Sequence, residues 1–241
     1  MKMNFDPNFF SQVGLDSGAL TMLGAVVHSF CEPGEYRGVA RRGAEPEAVF
    51  YISVDKNSPV AQANIDLAAL VQEEPAGESE NGCCPGGQGN YFVVNPKGYA
   101  VFHVSSGAGG YSVHVRKNDE DPKTKIFDSR ELDAGDIFSA IIIRPGTYSV
   151  TNLVTGSKSE VIVSYPKPGK TPYRPPAPIA VDCSEREMTL GRIELQPGQG
   201  LNFHLKTRSR IKIELVKPDD GPGKSREPER TGWIKRTLAH E

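Results

Sequence analysis

The sequence predicts an all-β protein of two tandem, internally duplicated antiparallel β-sandwich domains with a flexible C-terminal arm. Three observations predict this class. Glycine and proline are abundant, 25 and 19 of 241 residues, as many turns between short strands require. Short segments rich in β-branched and aromatic residues recur about every eight to twelve residues, with turn signals between them. The stretch from Ile126 to Val163, IFDSRELDAGDIFSAIIIRPGTYSVTNLVTGSKSEVIV, also has an earlier counterpart from Phe9 to Val54.

The counterparts run in order. Phe10 matches Phe127, Leu15-Asp16 matches Leu132-Asp133 and Gly18 matches Gly135, all 117 positions apart. Pro33-Gly34 and Tyr36 match Pro145-Gly146 and Tyr148 at 112 positions, which predicts five extra residues in the first copy around His28 and Cys31. Further on, Ile65-Asp66 pairs with Val181-Asp182, and Pro96, Phe102 and His103 pair with Pro197, Phe203 and His204 at 101 positions. YSVHVRKND from Tyr111 resembles IKIELVKPD from Ile211, 100 positions on. The predicted units are residues 1–120, residues 121–217 and an extended arm, 218–241.

Each element has a local reason. Residues 1–14 are a polar-aromatic lead-in anchored by Phe5, Phe9 and Phe10, and residues 20–31 read as a core strand or short helix. Pro33-Gly34-Glu35-Tyr36 is a turn feeding a strand, because proline presets φ and glycine admits a positive φ. Arg41-Arg42-Gly43 then makes a hairpin loop before the strand AVFYISV. In the second copy Thr155-Gly156 is the hairpin tip. Tyr148, Val150 and Asn152 share one face there, while Ser149, Thr151 and Leu153 share the other. Residues 72–90 are a low-complexity insertion in the first copy, and the proline-rich stretch 166–178 is an extended crossing in the related place of the second. The Pro-Gly-x-Tyr hairpin resembles that of immunoglobulin-like and cupredoxin-like domains, which implies a two-layer sandwich. A copper-binding cupredoxin carries a Cys, two His and usually a Met; the hairpin from Tyr148 to Val163 contains none of them.

Composition bounds the function. The formal net charge of −2 gives no general electrostatic case for nucleic acid. No apolar run has the length of a membrane span. The opening MKMNFDPNFFSQ contains Asp6 and leads into no apolar run, so it does not read as a signal peptide and a cytoplasmic location is expected. Cys31, Cys83, Cys84 and Cys183 show neither metal-ligand spacing nor a paired framework, so they read as reduced thiols.

Several residues are candidates for chemistry. His103 and His204 occupy matched positions after a phenylalanine. Alternation sends each Phe to the core and each His outward, where a pseudo-twofold would bring the imidazoles together as a ligand site. Asp16 and Asp133 recur in Leu-Asp-x-Gly and read as caps of turn N–H groups. His28 and Cys31 have His-x-x-Cys spacing, and Cys83-Cys84 stand in a glycine-rich loop; neither pair alone makes a metal site. Lys206, Arg208, Arg210 and Lys212 alternate and are expected to line one strand face that could grip an acidic partner surface or a polyanion. Trp233, with Ile234 and Leu238, forms an apolar stripe in the arm that suits a partner's groove.

No phosphate-binding glycine loop, nucleophile elbow or metal-hydrolase motif is present, and no cofactor is implied. The first reading is therefore a non-catalytic structural or assembly subunit of a larger complex or particle, such as a virion, binding protein partners or copies of itself. A ligand-binding module for carbohydrate or metal is the second reading. An enzyme whose site is assembled from distant loops is the third.

Overall fold

A computed structural model describes residues 13–72, 90–118, 125–166, 172–186, 188–189 and 191–219. The strands are β1 (Gly14–Asp16), β2 (Gly24–Ser29), β3 (Gly34–Arg42), β4 (Ala48–Val54), β5 (Gln62–Asp66), β6 (Tyr91–Val94), β7 (Tyr99–His103) and β8 (Tyr111–Lys117) in the first half. The second half contributes β9 (Phe127–Asp128), β10 (Ile137–Ile141), β11 (Gly146–Asn152), β12 (Lys158–Val163), β13 (Ile179–Cys183), β14 (Arg192–Leu195), β15 (Gly200–Leu205) and β16 (Ile211–Pro218). The short helix α1 (Leu67–Gln72) follows β5. The all-β class is as expected, and among the described residues no helix is long and apolar enough to cross a membrane.

The strands form three sheets: β13-β15-β10-β2-β7-β5, β1-β16-β11-β12-β14 and β6-β4-β3-β8-β9. All three are mixed, which corrects the expectation of purely antiparallel sheets. β4 with β6, β12 with β14, β5 with β7 and β13 with β15 are parallel pairs. Parallel neighbours need a crossover, and here each crossover passes through another sheet: β4 leads to β5 before β6, and β12 to β13 before β14. The 72–90 insertion lies between β5 and β6, whereas 166–178 lies between β12 and β13, so the two do not occupy related places.

Exchanging β1–β8 for β9–β16 maps the six-stranded sheet onto itself and the five-stranded sheets onto each other. The pair Val26↔Phe138 sits at the centre of that exchange. Hydrogen bonds repeat accordingly. The Tyr36 hydroxyl donates to the Glu32 carbonyl and the Tyr148 hydroxyl to the Arg144 carbonyl, both at 2.7 Å. Ser17 N–H donates to the Ile211 carbonyl and Ser129 N–H to the Val113 carbonyl, both at 2.9 Å. Asp16 caps Gly18 N–H at 2.8 Å as Asp128 caps Arg130 N–H at 3.0 Å.

These bonds correct the sequence register. Leu15-Asp16-Ser17 corresponds to Phe127-Asp128-Ser129, 112 positions on, so no five-residue expansion surrounds His28. Asp133 belongs to a different turn, in which its carbonyl accepts the Asp136 N–H. In the last strand Val113, not Tyr111, corresponds to Ile211, since Ala40↔Val113 and Asn152↔Ile211 are the matching pairs. That slip of two residues leaves the faces unchanged, which is why alternation did not reveal it.

The exchange also crosses the halves. β1 pairs with β16 and β9 with β8, while β2 and β10 form the middle of the six-stranded sheet. Its inner face carries Val26, Phe102, Phe138 and Phe203, all fully buried. Phe102 stacks on Phe127 with ring centres 5.2 Å apart and meets Phe50 at 6.0 Å, which fastens the six-stranded sheet to β4 and β9. On the β11 hairpin Tyr148, Val150 and Asn152 are buried and Leu153 is exposed, as alternation predicts.

Candidate functional site

The matched histidines do face outward, but they do not meet. His103 on β7 stands opposite Ala25 and His204 on β15 opposite Ile137, with β2 and β10 between them. Three strand spacings amount to about 14 Å, so no shared imidazole site forms. His103 lies instead beside Asp66, and His204 beside Asp182, across the parallel pairs. Burial pushes Asp66 up, but hydrogen bonds from Ser105 and Ala68 and the nearby His103 outweigh it and hold the carboxyl below its ordinary value.

The basic row is not one strand. β15 ends at Leu205 and β16 begins at Ile211, so Lys206, Arg208 and Arg210 belong to the connecting turn. Each cation also meets a carboxylate. Lys206 lies 3.4 Å from Asp182, Arg208 3.0 Å from Glu131 and Lys212 2.8 Å from Glu214. Arg210 grips Asp16 with two bonds, at 3.0 and 2.9 Å, which raise its pKa further. A Cβ on Gly18 would come within 2.8 Å of the Arg210 Nε, so a glycine there leaves room for this clamp. The positive charge expected to grip an acidic partner is thus locally balanced.

His28 turns inward, whereas Cys31, three positions on, is exposed. Its Nδ1 is 2.7 Å from Asp136 Oδ1, and its ring packs on Phe30 and Phe127 at 5.0 and 4.9 Å. Asp136 also accepts the Asp133 N–H at 2.9 Å. Sequence reasoning missed this cross-half pair. Burial pushes the Cys183 thiol up to about 11, which leaves it protonated and unreactive at neutral pH. Among the described residues no group of three or more His, Cys, Asp or Glu is placed to hold a metal ion. Trp233, Ile234, Leu238, Cys83 and Cys84 lie outside the described residues.

A different cluster emerges on the outer face of the β6-β4-β3-β8-β9 sheet. Register places Tyr91 beside Tyr51, Tyr51 beside Arg37 and Arg37 beside Arg116, in one row across four strands. The tyrosines are 50% and 39% exposed. In the adjoining row Glu35 accepts the Tyr91 hydroxyl at 2.9 Å and the Ser53 hydroxyl at 2.6 Å. Arg37 and Arg116 have no ion-pair partner among the described residues. The corresponding row of the second half reads Arg192, Glu160, Ser149, Glu214, with Arg192 3.9 Å from Glu160. No protein-family model, curated protein or solved structure matches the chain. The chemistry of these faces therefore rests on geometry alone.

Two recesses lie elsewhere among the described residues. An apolar one of about 20 Å³, lined by Leu15, Leu23, Ile142, Tyr148 and Ile213, has room for about one water. A wide depression of about 500 Å³ is bounded by Gly43, Gly109 and Gly110. The Arg42 guanidinium at its rim is tied to Glu45 at 3.0 Å and to the Gly109 carbonyl at 3.3 Å.

His114, on the same outer face between Val39 and Asp128, gives a pH signature. Burial holds its imidazole below the ordinary value of 6.5, and nearby Lys125 pushes the same way. The unfolded chain therefore takes up a proton first as pH falls, and stability is lost as pH drops through 6.5 toward the lowered folded value. Denaturant midpoints at pH 7.5 and 5.5 are expected to differ less in a His114→Phe variant than in the wild type. Equal slopes would show that His114 is not the group responsible.

Proposed function

We propose that the protein is a non-catalytic assembly subunit that binds protein partners, further copies of itself among them, through the open faces of its sheets. The observation that carries this is the outer face of the six-stranded sheet. One row across its four central strands holds Val101, Val27, Ile137 and His204; the next holds His103, Ala25, Ser139 and Asn202. All eight are half-buried, with carboxylates Asp66 and Asp182 at the flanks. Val27, Ile137 and Ala25 on the two central strands, with His103, His204 and Asn202 beside them and the carboxylates beyond, approach the apolar centre and polar rim of a protein interface. The two rows also trade places under the strand exchange, so the face repeats its strand layout about a twofold with His103 and His204 as equivalent residues, while Val27 and Ile137 on one side stand against Ser139 and Ala25 on the other.

Internal duplication of one sandwich-like unit accounts for this layout, with the 1–120 and 121–217 segments sharing a central layer and exchanging their first strands. The arm, 218–241, with Trp233, Ile234 and Leu238, serves as a second contact element in this reading, and the assembly is cytoplasmic or part of a larger particle. Sedimentation velocity is the test. The wild-type chain is expected to run as an assembly larger than 26.2 kDa, and Val27→Asp with Ile137→Asp is expected to yield monomers of unchanged β-sheet circular dichroism. A wild-type chain that stays a compact monomer at high concentration would overturn the reading.

A further inference from the structure

We propose that the row Tyr91–Tyr51–Arg37–Arg116 is a binding site for an anionic oligosaccharide, with sugar rings lying on the tyrosines and carboxylate or sulfate groups held by the arginines. The row crosses three strand spacings, about 14 Å, which is the scale of a short oligosaccharide and not of a single small molecule. Tyrosine offers an apolar face with a polar tip, which suits a ligand that alternates C–H patches and hydroxyls. β6 is a sheet edge, and two large exposed aromatics beside an edge invite aggregation unless a ligand uses them.

The arginines carry the charge argument. Arg41, Arg42, Arg208 and Arg210 each hold a carboxylate of this chain. Arg37 and Arg116 stand side by side with none among the described residues, two planar forks able to take a carboxylate or sulfate in bidentate fashion. Glu35 completes the site. Each of its oxygens accepts one hydroxyl bond, from Ser53 or Tyr91, which fixes the Tyr91 phenol and leaves lone pairs for sugar hydroxyls. Ser53 lowers the Tyr91 phenol, but burial and then the bond and charge of Glu35 together outweigh it and raise the phenol above its ordinary value, so it stays a neutral donor.

Glu35 also decides between ligand classes. Beside its charged groups an oligosaccharide has hydroxyls that donate to a carboxylate, whereas the backbone of single-stranded DNA offers acceptors alone and leaves Glu35 without a partner. The second half supplies the contrast: its equivalent row has no aromatic ring, and Arg192 and Glu160 face each other.

Isothermal titration of the full chain tests the proposal, with tetragalacturonate as the carboxylate probe, a heparin-derived tetrasaccharide as the sulfate probe, and cellotetraose and a thymidine decanucleotide as comparisons. One or both anionic sugars are expected to bind, with cellotetraose weaker by about tenfold or more and with affinity falling as salt rises. The pair Arg37→Gln with Arg116→Gln is expected to lose about tenfold or more, and so is Tyr51→Ala with Tyr91→Ala; Arg192→Ala is expected to bind as wild type does. Tyr91→Phe, which keeps the ring and the fold, is expected to lose only a few-fold. Should the alanine pair fail to fold, the glutamine pair and Tyr91→Phe still decide. No binding of either anionic sugar at millimolar concentration, binding unaffected by the glutamine pair, or tighter binding of the decanucleotide overturns the proposal.

Discussion

Replacing Gly38 by alanine is expected to destabilise the protein by about 3 kcal/mol, the upper part of the range for overpacking a core. In an ordinary strand the same change would gain about 0.5–1 kcal/mol, since glycine gives up more chain entropy on folding. Here the sign reverses. Gly38 on β3 pairs with Phe50 on β4, and the Phe50 ring lies across the glycine, so that an added Cβ would fall on the ring atoms. The ring has no retreat. It is fully buried, and its neighbours are Phe92 at 6.2 Å and Phe102 at 6.0 Å. The second half solves the same position in reverse: Val150 on β11 faces Ser159 on β12, large against small. Phe50→Ala alone should cost about 3–5 kcal/mol through the cavity it leaves. The double variant should cost less than the two single losses together, because the new methyl occupies part of that space. Urea midpoints at constant slope measure all three. A Gly38→Ala protein as stable as the wild type would contradict this account.

Much of the fold was legible in the sequence because turns and alternation act locally. The Pro33-Gly34 and Pro145-Gly146 turns and the hairpin of Tyr148 are written in residues within a few positions of one another. Register was legible only where a motif is rigid. Leu15-Asp16-x-Gly18 looks like Leu132-Asp133-x-Gly135 because short turns reuse aspartate and glycine, yet the bonds of Asp16 recur at Asp128. The basic residues 206–212 read as a strand because period-two alternation does not register a turn. The neutralisation of Arg210 was hidden because Asp16 comes from 194 positions away. The tyrosine row was invisible for a similar reason. Tyr91 reaches Tyr51 by a parallel pairing across the 72–90 insertion, and no local pattern announces a parallel neighbour. One signal was within reach: at matched strand positions the first half has tyrosines where the second has Glu160 and Arg192.

Cutting the chain between Glu120 and Asp121 is expected to leave two pieces that do not fold alone and do fold together. The second piece would lack β1 and β2. Leu15, Leu20, Leu23 and Val26 would leave the core, each 7% exposed or less. At about 1.5–3 kcal/mol for each buried side chain, the loss is roughly 6–12 kcal/mol, comparable with the about 5–15 kcal/mol that holds a whole domain. Its β16 would become an open edge, and the Ile211 N–H would lose the Ser17 hydroxyl that accepts it at 3.1 Å. The first piece would lack β9 and β10 and so lose Phe127, Leu132 and Phe138, all buried, and His28 would lose Asp136 as its hydrogen-bond partner. Leaving such a hydrogen-bonding group unsatisfied costs about 1–3 kcal/mol. Two-dimensional NMR of each piece should therefore show little dispersion, and an equimolar mixture should restore the spectrum of the intact chain. A piece that melts cooperatively by itself would show that its own half closes a core, and that the exchanged strands are an embellishment and not the join on which the six-stranded face depends.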